Sequence, residues 1–376
     1  MVKTEMIDTT SKSQVDRFVQ LHYKLYKKCP QWVPPFYTDI RLMLNKQKHP
    51  FYEHSDADFF IATRGDEVVG RIAAMENRAF NKYHGTKKMQ FYLFDCIDDQ
   101  DVANALFERV FDWSTKRGLT EAVGPKGFSP ISNGYGIQVE GFEFRQMMTM
   151  MNYNYPYYAN LFENAGFQKE VDFVSCYIHR PEFLLPEKVH LIAQKAQERG
   201  TFFVKNFKNK KELISWGIRI GQTYNRIFIN NWEYYPLSEA EIKFEIDNIM
   251  VIADPRLIKI ILHKDEIVGF LLGFPDISKA LQRNGGRITP WGIVDMMLEV
   301  KRTKWFSLNG VGVISELQGR GGNALMYSLM EKTATEYGFE HIEQTQMAET
   351  AVQVRKDMIN LGAKPYKNHR IFHKSI

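Results

Sequence analysis

The chain has 376 residues, 44% of them hydrophobic and 25% charged, with a formal net charge of +5 at pH 7. That is the composition of a globular protein long enough for two domains, each with its own core, and it excludes a disordered or low-complexity chain. No apolar run approaches the roughly eighteen residues that span a bilayer, and Met1 to Met6 lacks the apolar core of a signal peptide, so a cytoplasmic protein without a membrane partner is expected.

In chain order, a short strand is expected near Glu5 to Ile7 and a helix over Lys12 to Lys27. Asp58 to Ala74 reads as a β-hairpin with a polar turn. A strand from Met89 to Phe94 then runs into Asp95-Cys96-Ile97-Asp98-Asp99-Gln100-Asp101. Four aspartates there suit a helix N-terminus, whose dipole and free N–H groups they satisfy, and they would repel a phosphate. Gly124 to Gly136, with Ser129, Ser132 and Asn133, is a polar glycine-rich loop that either lines an acceptor site or closes a vacant groove. Leu161 to Phe167 reads as a helix ended by a glycine C-cap at Gly166 and followed by a strand. Pro181 to Pro186 marks a boundary and Glu187 to Arg199 a linking helix, dividing the chain into 1–180, 181–200 and 201–376.

The second half repeats the order. A strand at Phe202 to Phe207 and a helix over Lys211 to Thr223 precede an aromatic stretch with Tyr224, Asn225, Trp232, Tyr234 and Tyr235. Leu257 to Gly273 reads as a second hairpin, and Trp305 to Ile314 as a buried strand broken by Gly310 and Gly312. After the turn Gln318-Gly319-Arg320-Gly321-Gly322, Leu325, Met326, Leu329, Met330 and Ala334 recur at helical spacing until Gly338. Glu343, flanked by Gln344 and Gln346, lies on the next strand, and a helix closed by Gly362 precedes the last one. Gly70 matches Gly269, and Gly166 matches Gly362, at nearly one offset of about 200 positions, which reads as a tandem duplication of a mixed α/β unit.

The turn after the glycine-broken strand carries the chemistry. Its backbone N–H groups precede a helix whose dipole adds positive potential, and glycine lets a phosphate come close. Arg320 adds a charged donor. These residues alone allow either a phosphate cradle or an ordinary tight turn. They lack the Gly-Lys-Ser/Thr ending of a P-loop and the Gly-x-Gly-x-x-Gly of a dinucleotide fold.

Gln318 and Gly321 fit the signature Gln/Arg-x-x-Gly-x-Gly/Ala of the GNAT (GCN5-related N-acetyltransferase) superfamily, with Asn323 at the last position. Pro30 to Pro35, His49 to His54, Gly70 to Ala74, Gly124-Pro125, Phe128-Ser129, Gly141-Phe142 and Tyr157-Tyr158 extend the likeness over the first half. The whole chain resembles a tandem-GNAT protein, similar to bacterial proteins with two such domains. The resemblance implies two mixed sheets flanked by helices, the first domain degenerate and the second holding acetyl-CoA or another acyl-CoA as cosubstrate. The cofactor would lie between the fourth and fifth strands of the second domain. Gly310, Val311, Gly312 and Val313 would bond the pantetheine arm, and Gln318, Gly319, Arg320, Gly321, Gly322 and Asn323 would hold the pyrophosphate.

The activity so implied is N-acyl transfer, most simply acetyl transfer, to an amine on a small molecule or peptide. It needs a base, an oxyanion stabiliser and an acid for the thiolate. At the family's tyrosine acid this chain has Met358 in the second half and Phe162 in the first, while Tyr366 falls beyond the helix and reads as a strand residue. Glu343 is the candidate base, its strand's alternation leaving open whether it faces cleft or solvent. Tyr224, Asn225 and Trp232 are candidates for the acceptor pocket. A non-catalytic acyl-CoA sensor and an aminoacyl-tRNA-dependent peptidyltransferase are the alternatives. The three cysteines are far apart, and no Cys/His cluster has metal-ligand spacing, so reduced thiols and no metal are expected. The densest basic run, Lys208 to Lys211, reads as a solvated turn, and no nucleic-acid partner is expected.

Overall fold

The computed structural model describes residues 1–131, 134–147 and 151–376, and in it the chain forms two compact units that are each assembled from separate stretches. One unit holds Met1–Val174, Ser278–Met296 and Lys367–Ile376; the other holds Ser175–Ile277 and Met297–Tyr366. The boundaries drawn from the sequence, 1–180, 181–200 and 201–376, are contiguous and so assign both returning segments to the second half. Long-range pairing brings these segments back, and no local signal announces it.

The first unit runs β1 (Lys3–Met6), α1 (Lys12–Leu25), α2 (Tyr37–Met43), β2 (Asp56–Arg64), β3 (Glu67–Glu76), α3 (Arg78–His84), β4 (Lys88–Cys96), α4 (Gln100–Thr115), β5 (Glu121–Gly124), β6 (Ile137–Glu140), α5 (Tyr158–Asn164) and the first part of β7 (Gln168–His179). Its strand order is β1-β2-β3-β4-β5-β13-β7, where β13 spans Lys364–Ser375. The central strands are apolar on both sides because both faces are covered. Phe59, Ile61, Ala73 and Met75 pack with Val15, Phe18 and Val19 of α1, and Phe60, Ala62, Ile72 and Ala74 with Val102, Leu106 and Val110 of α4. The chain's last strand completes this sheet: Phe372, His373, Lys374 and Ser375 pair antiparallel with Gly124, Val123, Ala122 and Glu121. Arg370 forks onto Asp172 at 2.8 and 3.1 Å.

The segment from Ser278 holds to the first unit by its own polar contacts. The Gln282 amide on α9 (Ser278–Asn284) donates to the carbonyls of Pro30 and Trp32 at 2.9 and 2.8 Å, and the Tyr37 amide donates to the Gly286 carbonyl at 2.9 Å. A further helix, α10 (Pro290–Arg302), follows, its residues through Met296 counted with the first unit and those from Met297 with the second.

The second unit comprises the rest of β7, α6 (Glu187–Glu198), β8 (Phe203–Lys205), α7 (Lys210–Phe228), α8 (Glu239–Ile249), β9 (Ile258–His263), β10 (Glu266–Pro275), β11 (Trp305–Val313), α11 (Gly322–Glu336), β12 (His341–Ala348) and α12 (Val352–Asn360). Its order is β8-β9-β10-β11-β12-β7, antiparallel from β8 to β11 and parallel between β11 and β12. Helix starts follow their caps: the Asn209 side chain accepts from the Glu212 amide before α7, and Ser238 with Glu241 forms a capping box on α8. The helix expected to stop at Thr223 runs on to Phe228 and takes in Tyr224 and Asn225. The opening succession of strand, two helices and hairpin is the same in both units, β1-α1-α2-β2-β3 and β8-α7-α8-β9-β10, and each hairpin glycine pairs with the end of its unit's fourth strand, Gly70 with Cys96 and Gly269 with Val313. Among the described residues no helix is long and apolar enough to cross a membrane.

Candidate functional site

The site begins where β11 and β12 part. Their parallel ladder runs from Trp305↔His341 to Leu308↔Gln344 and ends there, although β11 continues to Val313 and β12 to Ala348. Along the other edge, β11 stays paired with β10, but the register jumps between Gly310↔Leu272 and Leu308↔Gly273, so Asn309 is an extra residue. Such a bulge bends its strand and strengthens the local twist. Gly310, Val311, Gly312 and Val313 therefore lie beyond the bulge, on the stretch of β11 that has no β12 partner. A Cβ on Gly312 would stand 2.3 Å from Ile227 Cγ2, so at this position α7 lies too close for a side chain.

From Val313 the chain enters the turn. The Gln318 amide nitrogen donates back to the Val313 carbonyl at 3.0 Å. Gly319 and Gly321 take φ of +73° and +90°, a region that glycine enters without strain. Gly321 also abuts α6, where an added Cβ would lie 2.9 Å from Ala196 Cβ. Helix α11 makes its first backbone bond from Leu325 to the Gly321 carbonyl, and no side chain caps it. Among the described residues none of the amides from Gly319 to Ala324 has an acceptor. Arg320 and Asn323 are exposed, so the Asn323 side chain stays clear of the packed face of α11.

The corresponding place in the first unit is filled by the chain itself. Asp99 caps α4, accepting from the Asp101 and Val102 amides at 3.0 and 3.2 Å, and is held by Arg64 at 2.5 Å. Asp95, taken from the sequence as part of that helix start, instead lies within β4 and is buried. It binds Arg71 at 2.7 Å and His22 at 2.9 Å, because a carboxylate turned into the core needs charged partners there. Desolvation pushes the Asp95 carboxyl up, yet His22 and Arg71 hold it below the usual range; burial drives His22 down against the pull of Asp95. The Tyr158 hydroxyl accepts from the Cys96 amide at 3.1 Å, and the Tyr157 hydroxyl donates to the Cys96 carbonyl at 2.7 Å. Both backbone groups at the end of β4 are thus occupied.

Glu343 is wholly buried on β12, so its carboxylate does not face solvent. It pairs in register with Ser307, one step before the ladder ends, and it accepts a hydrogen bond from the Tyr366 hydroxyl. Tyr366 is a strand residue as expected, but its reach to Glu343 was not legible in the sequence. Its ring lies 5.8 Å from that of Tyr177, which stacks on Trp305 and exchanges a 2.7 Å hydrogen bond with His341. Met358 and Phe162 are both buried in their helices, with no hydroxyl to offer.

The candidate acceptor residues scatter in role. Asn225 pins the loop after α7: its amide donates to the Leu237 carbonyl at 2.9 Å, and its oxygen accepts from Tyr234 at 2.5 Å and from the Leu237 amide at 3.0 Å. Tyr224 stacks on Phe270 at 5.7 Å and touches Phe228, and burial pushes its phenol up. Trp232 is half-buried in the same loop. In the glycine-rich loop of the first unit, Ser129 is buried and accepts from the Ile131 amide; Ser132 and Asn133 lie outside the described residues. Among the described residues no group of three or more His, Cys, Asp or Glu is placed to hold a metal ion.

No family model matches the chain. It is 26% identical over 380 residues to a bacterial ceramide synthase from Caulobacter vibrioides, covering 99% of this chain and 97% of that protein. It is 24% identical over 372 residues to protein YghO of Escherichia coli, covering 97% and 94%. Among solved structures it is similar to a tandem GNAT protein from the clavulanic acid biosynthesis pathway, with a TM-score of 0.55 at 10% identity over 100% of this chain and 98% of that one. It is also similar to the glucosamine N-acetyltransferase region of a fungal β-N-acetylglucosaminidase, with a TM-score of 0.56 at 12% identity over 100% of this chain and 38% of that one. The chain has the tandem GNAT fold, two mixed α/β units of that type in one polypeptide.

Proposed function

We propose that the chain is an acyl-CoA-dependent N-acyltransferase, whose second unit holds the acyl-CoA while the first keeps the fold without the cofactor. The observation that carries this reading is the row of amides from Gly319 to Ala324 without acceptors, opening just past the splay of β11 from β12. A pyrophosphate offers acceptor oxygens and negative charge, which suit such a row at a helix N-terminus, and Arg320 adds a charged donor. The pantetheine amides suit the backbone of Gly310 to Val313 in the way an added strand would.

In the reaction the amine nitrogen attacks the thioester carbonyl carbon. A C–N bond forms, the C–S bond breaks, one proton leaves the nitrogen and the thiolate takes one up. We assign that proton traffic to Tyr366 and Glu343, whose hydrogen bond lies one register step from the parting of the strands. The acceptor is an amine. One relative is a ceramide synthase, and a ceramide is the amide of a long-chain amino alcohol, which supports a lipid-like acceptor here.

Isothermal titration with acetyl-CoA and palmitoyl-CoA tests the cosubstrate; amide detection by mass spectrometry with a long-chain amino alcohol, glucosamine and spermidine tests the acceptor. Arg320→Glu is expected to weaken thioester binding about tenfold. Failure of both thioesters to bind would sink the cosubstrate assignment. Binding without turnover across the amines would make the protein an acyl-CoA sensor instead.

A further inference from the structure

Helix α10 is built in reverse for a helix on a protein surface. At about 100° per residue, Trp291, Ile293, Val294, Met297 and Leu298 share one arc of about 160°. All five are exposed, Trp291 at 82% and Met297 at 61%, and Ile288 just ahead of the helix is exposed as well. On the opposite arc Gly292 and Glu299 are buried and Asp295, Met296 and Val300 are half-buried, so both of the helix's carboxylates lie on the inward side. Both carboxylates are bound by neighbouring cations. Asp295 accepts from the Arg283 guanidinium twice at 2.9 Å and from the Asn284 amide at 3.0 Å, and Glu299 accepts from Arg302 at 2.7 and 3.1 Å. The acidic groups are thus turned inward and neutralised. Arg287 before the helix and Lys301 near its end are exposed and flank the apolar arc at either end.

We infer that α10 is a surface anchor that lies in the headgroup region of a bilayer containing anionic phospholipid. An apolar arc with a tryptophan, bounded by basic residues and free of outward carboxylates, matches that environment in both hydropathy and charge. The indole N–H of Trp291 remains at the wet level while its ring is buried. A second copy of the chain fits less well, because antiparallel pairing of two such helices sets the Arg287 end of one against the Lys301 end of the other. The absence of a spanning run, from which the sequence excluded a membrane partner, does not bear on this helix, whose length of about 20 Å lies along the surface. The inference stands apart from the acyl-CoA assignment; where both hold, a bilayer-dissolved amine is met at the surface.

Co-sedimentation of the full chain with vesicles of phosphatidylcholine, and of phosphatidylcholine mixed with phosphatidylglycerol, tests it. The mixed vesicles are expected to carry down the protein, with less bound as salt is raised. Trp291→Ser with Leu298→Ser is expected to lower the partition coefficient about a hundredfold, roughly tenfold for each side chain withdrawn from the lipid. Arg287→Glu with Lys301→Glu is expected to abolish the preference for phosphatidylglycerol. All four residues are exposed, so the variants should keep the thermal midpoint and the acyl-CoA titration of the parent. No sedimentation with either vesicle, or sedimentation indifferent to the Trp291 and Leu298 changes, would overturn the inference. So would concentration-dependent dimerisation that those changes abolish without any vesicle binding.

Discussion

Replacing Gly321 by alanine tests the turn at a single atom. At φ +90° an alanine is strained by about 1–2 kcal/mol. Its Cβ would stand 2.9 Å from Ala196 Cβ and 3.1 Å from Ile192 Cγ2, closer than methyl groups pack, so the turn and α6 must move apart by several tenths of an ångström. Strain and crowding together should cost about 2–3 kcal/mol of second-unit stability. Ala196→Gly removes the facing methyl at a cost of about 1 kcal/mol as a glycine inside α6. It also relieves the contact, so the double variant should be more stable than the sum of the two changes by about 1 kcal/mol. Urea unfolding of the four proteins reads the coupling, and acyl-CoA titration reads the site. Displacement of the amides should raise the dissociation constant about tenfold for Gly321→Ala. Strict additivity would refute the contact, and unchanged affinity would refute the role given to the shape of the turn.

Tyr366→Phe and Glu343→Gln are each expected to leave acyl-CoA affinity intact and to lower kcat about 10²-fold or more; unaltered turnover in both would remove the pair from the chemistry. Asp95→Ala leaves Arg71 buried without its carboxylate and should cost about 3–5 kcal/mol, read as a lower urea midpoint, whereas a loss under about 1 kcal/mol would contradict the network. His369 is fully buried, and its Nε2 faces the Asn152 carbonyl at 3.0 Å, which accepts and cannot donate, so Nε2 carries the proton of a neutral ring. Burial lowers its pKa to about 4, against about 6.5 in the unfolded chain. The unfolded chain therefore takes up the proton first: stability is full above pH 6.5 and falls by about 1.4 kcal/mol per unit as the pH drops toward 4. His369→Leu should flatten that slope by one proton, and equal slopes in urea titrations of both proteins would disprove the assignment.

Local signals were legible in the sequence. The turn from Gln318 to Gly322 was readable because glycine, helix start and preceding strand are neighbours in the chain. The hairpins were readable because alternation and a polar turn need only a short window. What stayed hidden depends on partners far along the chain. Asp95 looked like a helix-start aspartate until its strand proved longer and His22, 73 residues away, proved to be its partner. Glu343 and Tyr366 were each visible, but their hydrogen bond joins β12 to β13, strands on either side of β7 whose approach no spacing reveals. For α10, periodicity tells which residues share an arc; which arc faces inward depends on Arg283 and Arg302 reaching Asp295 and Glu299.

The path of β13 ties synthesis to folding. Residues 367–376 supply the strand beside β5, and Phe372 lays its ring 5.1 Å from Phe162 in the first unit's core. A nascent chain that has emerged only through residue 180 therefore carries a bare β5 edge and an uncovered Phe162, both invitations to mispairing. The first half of the protein must wait for the last of these residues to be translated. The two units are consequently not interchangeable cassettes: a lesion in residues 367–376 is a lesion of the unit whose other strands lie far earlier in the chain.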